Sequence, residues 1–217
     1  IKLEDKNKMD AEIIKSVIAS VLTALYQPFW FSLILSVLFM YVWKFYGSIG
    51  TQIGELGIKA AIKDWLSWFK SDANFRRMFS LTFYTVMILF RTLLNRNMWA
   101  NPISNVLGVW GLYQTNSSTG ERVLTTEAIE NLALFIPFAI LLLWHFHDVF
   151  FKKHITLLKA IWVSTKSIFI FSFIIEFLQL FLRVGTWQLS DLFYNTLGGF
   201  IGGLIYRIGW GIKHRGE

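Results

Sequence analysis

Residues 158–182 read LKAIWVSTKSIFIFSFIIEFLQLFL, and their reading decides the fold. The stretch exceeds the ~20 predominantly apolar residues that cross a bilayer as a helix. Four further stretches meet the same standard to differing degrees: about Pro28 to Tyr46, Met78 to Leu94, Ala128 to His147 and Asp191 to Trp210. The 217-residue chain is 54% hydrophobic and 18% aromatic, with a mean hydropathy of +0.48, so lipid is the solvent for most of it. Charged residues make up only 16% and gather between the apolar runs, where soluble amphipathic helices would disperse them. The expected class is an all-α integral membrane protein with about five transmembrane helices.

Two other segments read as helices of a different kind. Glu12 to Gln27 is interrupted by Lys15, Ser16 and Ser20, which fits an N-terminal interfacial or re-entrant helix, and Pro28 marks its break from the first span. Ile53 to Phe69 sets Ile58, Ile62, Trp65, Leu66 and Phe69 opposite Lys59, Lys63 and Asp64, the pattern of an amphipathic helix lying on the membrane. Its basic flank, completed by Lys70, Arg76 and Arg77, argues for the cytoplasmic side. Alternation from that anchor puts the loop 97–127 outside, Lys152, Lys153 and Lys159 inside, 184–190 outside, and the C-terminus with Arg207, Lys213 and Arg215 inside. Lys2, Lys6, Lys8 and Lys15 depart from this order. Either the region 12–46 dips in and returns, or these lysines, partly balanced by nearby carboxylates, are exported. No cleavable signal pattern opens the chain, so it reads as mature throughout. The resulting division is an N-terminal region 1–77, a membrane domain 78–210 and a tail 211–217.

The absence of cysteine removes disulfides, thiolate nucleophiles and cysteine metal sites. A formal charge of +7 raises the question of nucleic acid, but the basic residues flank apolar spans, where they meet anionic lipid; no nucleic-acid partner is expected. His145, His147 and the more distant His154 do not make a metal site on this reading, because residues two apart on a helix diverge. With no phosphate loop, nucleophile elbow or zinc-helix motif, no cofactor is expected either.

An ionisable side chain in the bilayer costs a few kcal/mol, so such residues face the bundle interior, pair, and mark function. Glu176 and Gln179, three apart, share a helix face; Asp191 and Asn195, and likewise Glu127 and Asn131, are four apart and do the same. Arg91 interrupts the second span. Each of these residues lies toward the outer end of its span, so they can meet at one depth in a pocket open to the extracytoplasmic face, with Arg91 as the cation among the carboxylates. The alternative is that they are interhelical glue, which suits the amides Asn131, Gln179 and Asn195 better than the carboxylates. Gly198, Gly199, Gly202 and Gly203 read as a smooth stripe for helix packing, and Pro137 as a permitted kink in the third span.

NLALFIPF, IIEFLQLFL and DLFYNTLGGFIGGLIY together resemble the VanZ-like membrane family, from about Arg91 to Tyr206. Asn131, Phe135, Pro137, Glu176, Gln179, Asp191, Asn195, Gly198 and Gly199 fall on its recurring positions. Before the last span the family often carries an acidic pair, where this chain has RVGTWQLSDLFYN and the single Asp191. The resemblance implies a multi-pass protein of the bacterial plasma membrane that lowers susceptibility to the glycopeptide teicoplanin and related lipoglycopeptides. Its implied partner is a membrane lipid or a lipid-linked envelope component. Catalysis on a lipid-linked precursor by Glu176 or Asp191, or a role as a small transporter or assembly partner, stays open beside it, as does the oligomeric state.

Overall fold

The computed structural model describes residues 3–47, 58–115, 119–151 and 155–214, with side chains from residue 11 onward and neither those of 45–47 nor that of Ile58. Lys2, Lys152, Lys153, His154 and Arg215, the side chains of Lys6 and Lys8, and residues 53–57 of the expected surface helix lie outside this description.

Among the described residues, eight α-helices run in the order α1 (Leu3–Tyr26), α2 (Phe29–Gly47), α3 (Ile58–Ser71), α4 (Ala73–Leu89), α5 (Glu127–His145), α6 (His147–Phe151), α7 (Leu157–Leu182) and α8 (Leu189–Lys213). Four helical runs among the described residues are long and apolar enough to cross a membrane: 11–44, which joins most of α1 to α2 across Gln27 and Pro28, 73–94, 127–145 and 157–182. α8 is long enough at 25 residues. Ser190, Asp191, Asn195 and the glycines lower its apolarity, so it is not among those four runs.

The α7 stretch shows why the chain is a membrane protein. Phe169, Phe173, Phe177 and Phe181, spaced by four, are exposed, whereas Ser164, Ser172, Glu176 and Gln179 are buried with Ile168 and Ile175. A helix in water buries the first set and exposes the second; the reverse pattern needs an apolar solvent. In lipid, burial of apolar area gives little drive to associate, and close packing must supply it.

That packing centres on α8, which lies between α5 and α7. A Cβ at Gly198 would stand 2.9 Å from the Phe135 Cβ, and one at Gly202 only 2.6 Å from the Ala139 Cβ, both on α5. A Cβ at Gly199 would stand 2.7 Å from the Ile168 Cβ, and one at Gly203 2.9 Å from the Ser164 Cβ, both on α7. The four glycines therefore form two stripes, one for each neighbour. Ser164 Oγ donates to the Gly199 carbonyl at 2.7 Å in this seam. Ile88, Leu134, Phe135, Phe138, Ala139, Ile168 and Ile175 fill the bundle centre, and α5 continues as a helix through Pro137.

At the other end of α4, α3 turns half of its apolar face onto protein. Trp65 and Phe69 stack on each other and meet Phe79, with Trp65 also against Phe75, while Ile62 and Leu66 remain exposed. Asp72 caps α4, accepting from the Asn74 and Phe75 N–H groups at 2.9 and 3.1 Å and pairing with Lys44 at 3.4 Å. The Phe75 N–H chiefly holds the Asp72 carboxyl below its ordinary range, against the opposing effect of burial. Its capping contribution is thus present at neutral pH and is lost as pH falls below the usual carboxylate range of about 4. Asp72→Ala is expected to cost about 1 kcal/mol, read as a lower thermal midpoint at pH 7 that converges on wild type in acid.

The long 97–127 loop is more than a connector. It carries an antiparallel pair, β1 (Tyr113–Thr115) with β2 (Arg122–Leu124), and its first part docks on the turn between α7 and α8. Met98 bridges Val184, Trp187 N–H donates to the Pro102 carbonyl at 2.9 Å, and Leu189 N–H to the Val106 carbonyl at 2.8 Å.

Candidate functional site

Four segments place their polar side chains at one end of the bundle: the end of α4, the start of α5, the end of α7 and the start of α8. Two local features shape this end. α7 stops at Arg183, which takes the left-handed conformation with φ 56°, and Gly185 follows at φ 83°, reversing the chain directly into α8. α4 ends in a π-helical turn, Phe90–Leu94, closed by a bond from Asn95 N–H to the Phe90 carbonyl at 2.8 Å. Such wide turns recur at functional sites, because the extra residue frees a carbonyl from the helical ladder. Here the Thr92 carbonyl accepts from Gln179 Nε2 at 2.8 Å.

Asp191 sits in the first turn of α8, where the helix dipole favours a negative charge. Its Oδ1 accepts from Asn131 Nδ2 at 2.8 Å, and its Oδ2 faces the Arg96 guanidinium at 3.9 Å. Glu176, 2% exposed, accepts from the Gln188 backbone N–H at 2.9 Å. Asp191 and Arg96 both lie within electrostatic reach of Glu176, and Glu127 within reach of Asp191. Glu127 itself is exposed. One level further along the helices, Asn195 Nδ2 donates to Ser172 Oγ at 2.9 Å. Gln179 Oε1 and Asn195 Oδ1 are buried without a partner among the described residues.

Arg96 connects this buried cluster to the exterior. Its side chain is 32% exposed, lies along Gly185, and lines an open cavity of about 440 Å³ together with Leu94, Asn95, Asn97 and Trp99. That volume falls in the range of small-molecule sites. The docked loop closes the other flank: Val109 N–H donates to Ser190 Oγ at 3.1 Å, and Gly111 N–H to the Tyr194 hydroxyl at 2.9 Å. Gly108 is required there, since its φ is 71° and a Cβ would stand 1.9 Å from Ser190 Oγ.

Its depth near the outer end of the second span puts Arg91 among the carboxylates of this cluster, but in the structure it pairs with a different one. Arg91 bonds to Glu130 Oε2, whose other oxygen accepts from the Thr126 hydroxyl at 2.6 Å. The cation beside Asp191 is Arg96. Neither Arg96 nor Glu130 is among the site residues expected from the sequence. Arg96 follows the end of an apolar run, where a basic residue reads as a topology marker. Glu130, three residues after Glu127, fits helical spacing as well as Asn131 does, but spacing alone does not separate the two: Glu130 turns to Arg91 and Asn131 to Asp191. The signal for Glu130 is Arg91 itself, which needs a buried counter-charge.

His147, which helical geometry argues against as a metal ligand, bonds through Nδ1 to the Tyr206 hydroxyl at 2.9 Å and stacks on Trp210 at the far end of α8.

The sequence pattern of the VanZ/LLP1 family matches residues 60–210, which include the whole cluster from Arg91 to Asn195. Protein VanZ of Enterococcus faecium is 27% identical over 116 residues, which cover 52% of this chain and 65% of that protein, slightly under two thirds of its length. No solved structure matches the chain. A family pattern that spans well over half of the sequence, and every helix that builds the polar end of the bundle, means that this membrane protein belongs to the VanZ/LLP1 family.

Proposed function

We propose that this is a multi-pass protein of the bacterial plasma membrane that lowers susceptibility to teicoplanin and related lipoglycopeptides by engaging a lipid-linked envelope component at the outer leaflet. The observation that carries this reading is the Arg96–Asp191–Glu176 cluster, in which two buried carboxylates communicate with an open cavity through one partly exposed guanidinium. Arg96 offers a forked donor to an anionic phosphate or carboxylate arriving in the cavity. Asp191, itself held by Asn131, faces the guanidinium, and an anion that draws Arg96 outward leaves Asp191 to Asn131 alone. The basic residues at the opposite end of the bundle, Lys70 at the end of α3 and Arg76 and Arg77 at the start of α4, support an outward orientation for the cluster and a cytoplasmic C-terminus.

Glu176→Gln and Asp191→Asn, expressed at membrane levels matched to wild type, are expected to return teicoplanin susceptibility to that of cells without the protein. These changes keep shape while removing charge. Full retained protection in both variants would remove the cluster from the mechanism.

A further inference from the structure

A second polar cavity, of about 290 Å³, shares no lining residue with the Arg96 cavity, although Gln27 of the one bonds to Asn95 of the other. It is lined by Ser16, Ser20, Thr23 and Gln27 of the α1 segment and by Arg91 and Glu130. At roughly 30 Å³ per water it has room for a phosphate with several attached carbon atoms. The α1 residues recur at spacings of four, three and four, so they form one stripe along that helix. α1 lies wholly outside the region matched by the family pattern, which begins at residue 60.

The hydrogen-bond inventory of this cleft is unbalanced. Glu130 is engaged on both oxygens, one by Arg91 and one by Thr126. Thr23 donates its hydroxyl proton to the Ala19 carbonyl at 2.8 Å, and Gln27 uses its carbonyl oxygen to accept from Asn95 Nδ2 at 3.0 Å. The donors that remain are the other N–H groups of Arg91, the Gln27 amide N–H₂, and the hydroxyls of Ser16 and Ser20, whose oxygens can also accept and which have no hydrogen-bond partner among the described residues. A partly exposed guanidinium with surplus donors, set between helices in lipid, fits a ligand that is rich in acceptors and bears a negative charge. A neutral sugar could donate to the serine and Glu130 oxygens, but it would bring no charge to meet the guanidinium.

We propose that the cleft between α1 and the Arg91–Glu130 pair binds the phosphodiester of a membrane-lipid headgroup. Arg91 and Gln27 meet the phosphate oxygens and the two serines complete the shell. The site is separate from the cluster proposed to act on the envelope, and either can fail without the other.

The test is lipid retention by the purified full-length chain in detergent, read by native mass spectrometry after exposure to phosphatidylglycerol or to a phosphate-free diacylglycerol glucoside. Wild type is expected to retain phosphatidylglycerol and release the glucolipid. Arg91→Gln/Glu130→Gln, which removes the pair together and leaves no lone buried charge, and Ser16→Ala/Ser20→Ala are each expected to weaken retention at least tenfold. Gly209→Ala, in open space and in neither cavity, is expected to retain it unchanged. Equal retention of phosphatidylglycerol by wild type and both double variants would overturn the proposal, and so would equal retention of the glucolipid. Displacement by low millimolar inorganic phosphate would overturn the lipid assignment by showing that free phosphate is the ligand.

Discussion

Gly202→Ala is expected to lower the stability of the bundle by about 3 kcal/mol, the upper part of the usual range for overpacking. The new Cβ would stand 2.6 Å from the Ala139 Cβ and 2.7 Å from the Ile136 carbonyl oxygen, and a backbone oxygen cannot turn aside as a flexible side chain can. Alanine gains ~1 kcal/mol over glycine in helix propensity, which is too little to offset the collision. Gly209, on the same helix, supplies the control: nothing lies within 4 Å of the point its Cβ would occupy, so Gly209→Ala should be neutral or stabilising by up to ~1 kcal/mol. Thermal unfolding midpoints of the two variants in one detergent read the difference directly. Equal midpoints would mean that α8 does not pack against α5 this closely.

The second large effect is expected at the ion pair. Arg91→Ala leaves the mostly buried Glu130 carboxylate without its cation, and removing one partner of a buried pair costs about 3–5 kcal/mol. Some 27% of the Arg91 side chain is exposed, so the lower end of that range applies. Arg91→Gln/Glu130→Gln should be markedly milder than Arg91→Ala, because neither charge is then stranded. A double-mutant cycle with Glu130→Gln isolates the coupling. Additive losses across the cycle would show that the two side chains do not depend on each other.

The helices are legible in the sequence because lipid demands long apolar runs with internally bonded backbones, a signal strong enough to place α5, α7 and α8 within two or three residues. The start of α4 is not, since Arg76 and Arg77 interrupt its apolar pattern while Asp72 supplies the cap. Helical spacing groups Asp191 with Asn195 and Glu176 with Gln179, and all four side chains are buried. It cannot say which cation serves which carboxylate, because that depends on the π-helical turn at 90–94, which shifts Arg91 and Arg96 relative to an unbroken helix. Spacing also suggests a single glycine stripe. Two adjacent pairs at i and i+1 point to different neighbours, and only the packed bundle reveals that α8 has one on each side.

The proposed function turns on the side of the membrane to which the Arg96 cavity opens. The chain contains no cysteine, so single-cysteine labelling needs no background removal. Asn97→Cys places a thiol at an exposed position in that cavity, and Ser71→Cys places one at the opposite end of α4. With a membrane-impermeant maleimide on intact cells, Asn97→Cys is expected to label fully and Ser71→Cys only after permeabilisation. Labelling of Ser71→Cys in intact cells, with Asn97→Cys protected until the membrane is opened, would contradict an outward-facing site.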